Sequence, residues 1–328
     1  MRRTAVPPSL LLLARRQAGL VTTGQAQEHG LSPGSLTTLT RARTWLRVCR
    51  GVYDVHLPDD VPWTGPGAPS PGTAVASPGW RTARRRLRAT WTALLAYGPD
   101  AVAVGPCALV LHEVAGLPTG VRAEAALPRG SNRRDVERVS LRQFDHGMRT
   151  VPIAGRRVAA LDWALAQSIP ELSRRHGLAV LDSALRERKL SRHGLELVHD
   201  LARGRRGIAS RHDVFELADG RSESALESFA RLECIDGGVA PDTLQLPFLD
   251  RSGDERARGD LAWRLRGGRY LVVEMDGAAF HDTPEAVFAD RVRQNGIVSS
   301  GKVDLLRFTF DDLGGIASEV RRFLARHR

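Results

Sequence analysis

The hydrophobic and polar positions of the first 55 residues predict three short helices followed by a β-hairpin. Helix caps and glycine stops mark the boundaries of these elements. The predicted elements are a helix capped by Ser9 and running to Ala18, a short helix capped by Thr22 or Thr23 and ended by Gly30, a helix over 35–43, and hairpin strands over 45–49 and 51–55. Helices and a hairpin in this order are typical of a winged helix.

The middle of the chain predicts a linker and then a mixed α+β region. Residues 59–79 are rich in Pro, Gly, Ser and Ala, which indicates a flexible linker. The elements expected after it are a helix from Arg81, strands over 101–105, 123–127 and 138–143, and helices over 106–116, 158–167, 169–188 and 191–202. No phosphate-binding loop or nucleotide fingerprint occurs here. We therefore expect this region to connect two other domains.

The last third of the chain predicts a sheet flanked by helices. The expected elements are a helix over 223–234, strands over 244–250, 258–265 and 271–273, a helix over 283–299, a strand over 303–310, and a final helix over 313–326. The helix between the last two strands predicts a right-handed crossover and hence a mixed sheet. The fold class is therefore multi-domain α/β. Its segments are a winged helix over 1–58, a linker over 59–80, an α+β connector over 81–219, and a sheet domain over 220–328.

Three carboxylates lie within the predicted strands of the sheet domain. Asp260, Glu274 and Asp276 stand among apolar strand residues, where acidic side chains are depleted. Glu274 and Asp276 are two residues apart, so they project from the same face of their strand. A two-residue turn at Gly267–Gly268 would place Asp260 on the opposite face. A three-residue loop with a left-handed glycine would place Asp260 opposite Glu274 or Asp276.

The clustered carboxylates favour a metal site. Anionic groups repel one another unless a cation neutralises them, and oxygen ligands of this kind suit Mg²⁺ or Mn²⁺. This chemistry is typical of metal-assisted phosphodiester cleavage. A second interpretation stays open, in which the three acids lie on the solvated face of an antiparallel sheet. His281 follows the strand, and its alternative is a surface or capping histidine.

Charge is unevenly distributed along the chain. The formal net charge is +11, with 48 Lys and Arg against 37 Asp and Glu. Residues 221–328 hold 16 basic and 18 acidic side chains, which leaves 32 and 19 in the first 220. The upstream part is therefore suited to a phosphate backbone. Two alternatives remain, because a GC-rich genome also yields arginine and because the cluster of Arg84, Arg85, Arg86 and Arg88 is more typical of a solvated helix face.

Cysteine usage and hydropathy indicate the cellular compartment of the protein. The three cysteines are widely spaced, with neither metal-ligand spacing nor a disulfide framework, and reduced thiols fit a cytoplasmic protein. No apolar run approaches the length of a membrane span. We therefore expect a cytoplasmic protein without a membrane partner.

The last 110 residues or so resemble the Vsr-like branch of the PD-(D/E)XK nuclease superfamily. The motifs that carry the resemblance are Ser224–Glu227, Gly259–Trp263, Val273–Gly277 with His281, and Asp290–Arg291 with Arg293–Gln294. The resemblance implies a restriction-endonuclease-like fold and a catalytic set of Asp260, Glu274, Asp276, Glu227, His281 and Arg291. Asp260, Glu274 and Asp276 would hold Mg²⁺ or Mn²⁺.

One departure from that superfamily concerns catalysis. Position 276 holds Asp where the usual motif has the lysine that orients the attacking water. The chain has two lysines, Lys189 and Lys302, and neither stands in the motif. Arg291 could stabilise charge, but an arginine cannot act as a base near neutral pH. Either the chemistry proceeds without lysine, or this domain does not cleave.

The N-terminal segment resembles the winged-helix domain of AbiEi-type antitoxins. The resemblance is carried by Gly19–Thr23 and by Arg50–Tyr53 in the wing. It implies that the third helix enters the major groove of DNA. The implied base contacts are Ser35, Thr37, Thr38 and Arg41, and the implied phosphate contacts are Arg47 and Arg50. Winged helices also serve as protein-binding modules, so that alternative stays open.

Three functions follow from these patterns. The first is a DNA-binding protein with a magnesium-dependent endonuclease-like domain, linked to phage defence or to a toxin–antitoxin pair. The second is an inactive regulator or antitoxin that binds DNA without cutting it. The third is a C-terminal domain that binds a partner toxin.

Overall fold

The computed structural model describes residues 5–57, 63–68, 77–128, 134–249, 252–277 and 303–327. These residues form a mixed α/β, multi-domain structure with two compact units. The first unit is Met1–Leu172 with His193–Ser210, and the second is Ser173–Arg192 with Arg211–Arg328. The predicted fold class is confirmed.

The described helices, in chain order, are α1 (Pro8–Arg16), α2 (Thr23–Glu28), α3 (Pro33–Arg41), α4 (Pro78–Tyr97), α5 (Gly105–Leu111), α6 (Leu161–Ser168), α7 (Arg174–Arg186), α8 (Arg192–Ala202), α9 (His212–Leu217), α10 (Ala225–Asp236) and α11 (Ile316–His327). Short 3-10 turns occur at Ile208–Ser210, Arg266–Gly268 and Phe310–Asp312.

The described strands are β1 (Leu20–Thr22), β2 (Leu46–Cys49), β3 (Val52–Asp54), β4 (Val102–Ala103), β5 (Glu124–Ala126), β6 (Ser140–Arg142), β7 (Thr150–Ile153), β8 (Arg156–Ala159), β9 (Thr243–Leu249), β10 (Glu255–Arg264), β11 (Tyr270–Met275) and β12 (Val303–Phe308). They build three sheets, with the orders β1-β3-β2, β6-β5-β4-β8-β7 and β12-β11-β10-β9.

The N-terminal helices and the first sheet form the winged helix. Strand β3 pairs antiparallel with both β1 and β2. Thr22 caps α2 as predicted, since its hydroxyl accepts the Gln25 N–H while the Gln25 side chain accepts the Thr22 N–H. The predicted Ser9 cap is wrong. Ser9 lies inside α1, and its hydroxyl bonds the Nδ1 atom of His29 at 2.8 Å.

Helix α3 starts earlier than its hydrophobic pattern predicts. Ser32 caps it by accepting the Ser35 N–H, and Pro33 occupies the first turn, where a missing N–H costs nothing. The Leu36 and Leu39 side chains are buried. The remaining positions of this helix are largely exposed, which leaves a polar face available for binding.

Part of the predicted linker is packed against α4. Trp63 is buried, and the Arg84 guanidinium lies 4.8 Å from the ring centroids of both Trp63 and Trp80. The Gly67 N–H donates to Glu113 at 3.1 Å. Cation–π stacking therefore fixes residues 63–68 in the first unit.

The second sheet differs from prediction at residues 150–159. The residues from 158 were expected to begin a helix, but Arg156–Ala159 is strand β8, paired antiparallel with β7 and parallel with β4. The turn between β7 and β8 uses positive φ at Ala154 and Gly155. A short apolar run gives no period by which to distinguish strand from helix, and the strand partners decide the outcome.

The second unit contains the sheet β12-β11-β10-β9. Strands β9, β10 and β11 are antiparallel, and β12 is parallel to β11. Helices α10 and α11 cover one face through a shared apolar core that includes Ala230, Trp263, Leu271 and Val320. The mixed sheet flanked by helices is therefore as predicted. The predicted helix over 283–299 lies outside the described residues.

Helices α7 and α9 belong to the second unit, although the sequence division assigns both to the connector. A buried polar network explains the placement of α7. The Asp182 Oδ2 atom accepts hydrogen bonds from Ser228 Oγ at 2.7 Å and from Arg231 Nη2 at 2.8 Å, both on α10. Its Oδ1 atom accepts the Asp219 N–H at 2.7 Å.

Candidate functional site

The exposed face of α3 carries three of the four predicted base contacts. Thr37, Thr38 and Arg41 are exposed, and Ser35 is half-buried near the helix start. The two threonine hydroxyls donate to backbone carbonyls one turn earlier, Thr37 to Pro33 at 3.1 Å and Thr38 to Gly34 at 2.9 Å. They can still accept a hydrogen bond. Arg41 is therefore the strongest donor on this face.

The wing presents the two predicted phosphate contacts differently. Arg50 is exposed at the turn between β2 and β3, beside Gly51 with φ +75°. Arg47, on the edge strand β2, is also exposed but forms an ion pair with Glu137. A phosphate would have to displace that carboxylate. The structure thus leaves Arg50 better placed than Arg47 for a backbone contact.

The arginine cluster of α4 is mainly structural. Arg84 stacks on two tryptophans, as described above, and Arg88 pairs with Asp54 of strand β3 at 2.8 Å. Arg86 donates to the carbonyl oxygens of Pro118, at 2.7 Å, and Leu117. Burial lowers the pKa of its guanidinium to about 10. The exposed side chain of Arg85 is the exception.

In the second unit, the loop between β10 and β11 has the odd length that a metal shared by the three carboxylates would require. The Leu265 N–H donates to the Arg269 carbonyl at 2.8 Å, so the three residues Arg266–Gly268 close the hairpin. Both glycines have left-handed φ, 70° and 71°, where the prediction required one. Leu261 pairs with Val273, so Asp260 lies opposite Glu274. Of the two loops considered from the sequence, the structure has the three-residue loop, with Asp260 opposite Glu274.

Asp260 and Glu274 project away from the core shared by α10 and α11. That core receives the alternating neighbours Leu261, Val273 and Met275. Asp260 accepts the Met275 N–H through Oδ2 at 2.8 Å. This bond joins the two strands just beyond the opposed carboxylates.

Arg307 neutralises part of the carboxylate cluster. It lies on β12, directly beside Glu274 in the parallel register. Its Nε and Nη2 atoms donate to Glu274 Oε2 at 3.1 and 2.8 Å, and its Nη1 atom lies 3.8 Å from Asp276 Oδ2. The Glu274 side chain is 10 % exposed, so its carboxylate is largely shielded from water, whereas Arg307 is 31 % exposed. The acids therefore have an internal cation that the sequence pattern did not reveal.

Glu227 joins the cluster from helix α10. Its Oε2 atom accepts the Glu223 N–H and the Gln245 Nε2 amide, each at 2.8 Å. Burial, and then the negative charge of Asp260, raise the pKa of Glu227 to about 7. Gln245 stands opposite Asp260 on β9, between the pairs Leu246–Gly259 and Leu244–Leu261, and has φ 55°. The structure thus places Glu227 within the electrostatic reach of Asp260.

The donor chemistry of these residues fits a hard divalent cation. Carboxylate oxygens are the ligands that Mg²⁺ and Mn²⁺ prefer, and both bonds from Arg307 go to one oxygen of Glu274, so Oε1 is not used by the guanidinium. Within the described part of the chain, no group of three or more His, Cys, Asp or Glu side chains is arranged to hold an ion. His281 and Arg291 lie outside the described residues.

Two residues of this cluster, Arg307 and Gln245, were not foreseen. The available signal for Arg307 was a charged residue within the apolar strand pattern Val303–Phe308, since such a residue usually has a partner when it is buried. Gln245 gave no signal, because its positive φ and its bond to Glu227 depend on the folded sheet.

No helix within the described ranges is both long enough and apolar enough to cross a bilayer.

Comparison with known proteins gives one family match and two relatives. Residues 9–55 match the family described as a transcriptional regulator, AbiEi antitoxin. Two proteins of Mycobacterium tuberculosis, titled Uncharacterized protein MT2308 (strain CDC 1551 / Oshkosh) and Uncharacterized protein Rv2248 (strain ATCC 25618 / H37Rv), are 33% identical to this chain over 186 residues. That alignment covers 56% of this chain and 67% of each relative. The chain therefore belongs to the same family as these two mycobacterial proteins, with an N-terminal segment of the AbiEi antitoxin type.

Proposed function

We propose that the protein is a DNA-binding transcriptional regulator of the antitoxin type that acts on the chromosome in the cytoplasm. The observation that carries the proposal is the pairing of an exposed polar helix face with an arginine-bearing wing. Both lie within residues 9–55, which match the AbiEi antitoxin family. Helix α3 would lie in the major groove, with Arg41 reading a base edge. Arg50 would contact the phosphate backbone.

Binding to the protein's own promoter tests this proposal. Fluorescence anisotropy with a promoter duplex should give tighter binding than a scrambled duplex of the same length. The affinity should fall steeply as salt rises. The double variant Arg41→Ala/Arg50→Ala should lose specific binding, whereas Arg157→Ala, an exposed arginine on β8, should not. Equal affinity for promoter and scrambled DNA would contradict the proposal.

A protein partner is part of the same proposal. Antitoxin-type regulators imply a toxin or another defence protein as partner, and the chain would bind the product of a neighbouring gene. Co-expression of that product with the full chain, followed by affinity purification, tests this directly. Purification of the chain without the neighbouring product would contradict the proposed partner. It would not affect the proposal that the chain binds DNA.

A second candidate function is metal-dependent phosphodiester hydrolysis by the second unit. Its specific support is the opposition of Asp260 and Glu274 on one sheet face, with Glu227 beside Asp260. Asp260, Glu274 and Asp276 would hold Mg²⁺ or Mn²⁺. Such an ion lowers the pKa of bound water and stabilises negative charge on a phosphate. The surrounding sheet would position the three carboxylates. The Glu227 carboxyl group would hold a proton near neutral pH.

Incubation of supercoiled plasmid with Mg²⁺ or Mn²⁺ tests the second candidate. Nicking should require Asp260 and Glu274, so the double variant Asp260→Asn/Glu274→Gln should be inactive. Glu255→Gln, an exposed position on the same strand as Asp260, is the matched control and should keep activity. Nicking that persists in the double variant would show that the assigned site is wrong. A native protein that never nicks would leave only the regulator.

A further inference from the structure

Arg307 contacts the carboxylate cluster from strand β12, which contributes no ligand to the proposed metal site. The parallel pairing of β11 with β12 places its side chain on the same sheet face as Glu274. Two of its nitrogen atoms donate to one oxygen of Glu274, and a third lies near Asp276. A planar guanidinium suits this fork geometry better than an ammonium group would.

The contact with Arg307 lowers the net negative charge of the carboxylates. Glu274 and Asp276 carry two formal negative charges, and Arg307 reduces the sum over these three side chains to −1. Opposite charges within about 4 Å in a shielded site interact far more strongly than in water. Glu274 and Asp276 therefore have less need of an added cation than two unpaired carboxylates would have.

We propose that Arg307 is a resident cation of this cluster: it positions Glu274 and Asp276 without a divalent ion and weakens the binding of such an ion. The inference deepens the second candidate function, since it rests on the assignment of Glu274 and Asp276 to one cation-binding cluster. It does not rest on hydrolysis. Arg307 is in this sense a positioning residue that acts through the two carboxylates.

A competing explanation is that Arg307 is an ordinary ion pair that ties two strands together. The same pair of strands offers a matched comparison. Arg269, the residue just before β11, donates to both oxygens of Asp304 on β12 at 2.7 and 2.6 Å. Both arginines join β11 to β12, but the Arg307 pair alone includes two of the clustered carboxylates. A role limited to strand pairing predicts the same behaviour for both positions.

The test measures Mn²⁺ binding and thermal unfolding of the full chain, with excess EDTA as the reference. Arg307→Gln keeps a hydrogen-bonding side chain but removes the charge. It should bind Mn²⁺ at least about tenfold more tightly than the native protein, because one neighbouring positive charge is gone. Its unfolding temperature should be lower than native in EDTA and should recover with Mn²⁺. Arg307→Lys, which retains the charge, should keep near-native Mn²⁺ affinity.

Arg269→Gln should lose stability without gaining Mn²⁺ affinity. Equal Mn²⁺ affinity of the native protein and Arg307→Gln would overturn the proposal, as would the same gain in Arg269→Gln. If Arg307→Gln fails to fold in EDTA, folding induced by Mn²⁺ supports the proposal, and failure in both conditions overturns it. Plasmid nicking is measured separately, so loss of the hydrolase candidate does not affect this outcome.

Discussion

Arg47 of strand β2 forms an ion pair with Glu137, a residue 90 positions further along the chain in the same unit. Glu137 has φ 53° and lies in the turn between the bridged residues Val136 and Val139. The buried Tyr97 hydroxyl fixes both sides of this turn, donating to the Val139 carbonyl at 2.9 Å and accepting the Val136 N–H at 3.3 Å. The Glu137 carboxylate is therefore held against the Arg47 guanidinium, which would contact a phosphate in the proposed DNA complex.

Removing that carboxylate should strengthen DNA binding. Glu137→Gln frees Arg47 for phosphate, and an exposed pair of this kind is worth under about 1 kcal/mol, so we expect a gain of about threefold at low salt. Fluorescence anisotropy at several salt concentrations measures it. In an Arg47→Gln background the same substitution should have little effect. A gain that persists in that background would show that Glu137 acts through general charge and not through Arg47.

The hydroxyl of Thr38 should contribute little to base recognition. It already donates to the Gly34 carbonyl, so Thr38→Val removes a group committed to the helix while keeping its shape. We expect promoter affinity to change by less than about threefold, well below the cost of a lost bidentate base contact. Thr38→Asp should weaken binding much more, because its charge would face the phosphates. A large loss in Thr38→Val would mean that the hydroxyl is an acceptor for a base.

Glu227 should make the stability of the second unit depend on pH. Burial and Asp260 raise its pKa from 4.5 to about 7 in the folded protein. The folded state then binds the proton more tightly than the unfolded state. The associated stability is fully present below pH 4.5 and is lost as the pH rises through about 7. At about 1.4 kcal/mol per pKa unit the loss is at most about 3.5 kcal/mol.

Thermal unfolding at pH 5 and pH 8 measures this dependence. Glu227→Gln should be close to native in stability at pH 5 and more stable than native at pH 8. Glu319→Gln, at an exposed position on α11, should follow the native profile. A native protein whose second unit is as stable at pH 8 as at pH 5 would contradict the proposed environment of Glu227.

The Asp182–Arg231 pair should be a strong determinant of stability in the second unit. Both side chains are buried, with 2% and 6% of their surface exposed. Asp182→Ala leaves the buried Arg231 guanidinium without this carboxylate, which costs about 3–5 kcal/mol. The double variant Asp182→Leu/Arg231→Met should cost less than the sum of the single changes. Urea unfolding measures the free energy of unfolding of the second unit in the two single variants and in the double variant. Additive losses would show that the two residues do not act as a pair.

Local sequence was sufficient to predict several features because their causes lie within a few residues. The Thr22 cap depends on Gln25 three positions away, and the register of Asp260 against Glu274 depends on the glycine loop between their strands. Two local expectations were wrong, at the start of the first helix and at the start of the third. Ser9 bonds His29, and Ser32 takes over the cap of the third helix.

The partners of the charged residues were decided by the tertiary structure alone. Arg307 reaches Glu274 across 33 positions, and Arg47 reaches Glu137 across 90. Asp182 of α7 meets Arg231 of α10, which brings a helix assigned to the connector into the second unit. The sequence by itself determined most of the element types, the winged-helix order and the shared face of Glu274 and Asp276. Which cation neutralises them depends on strand order and on helix packing. Spacing along the chain does not specify either one, because distant segments meet only when the whole core is buried.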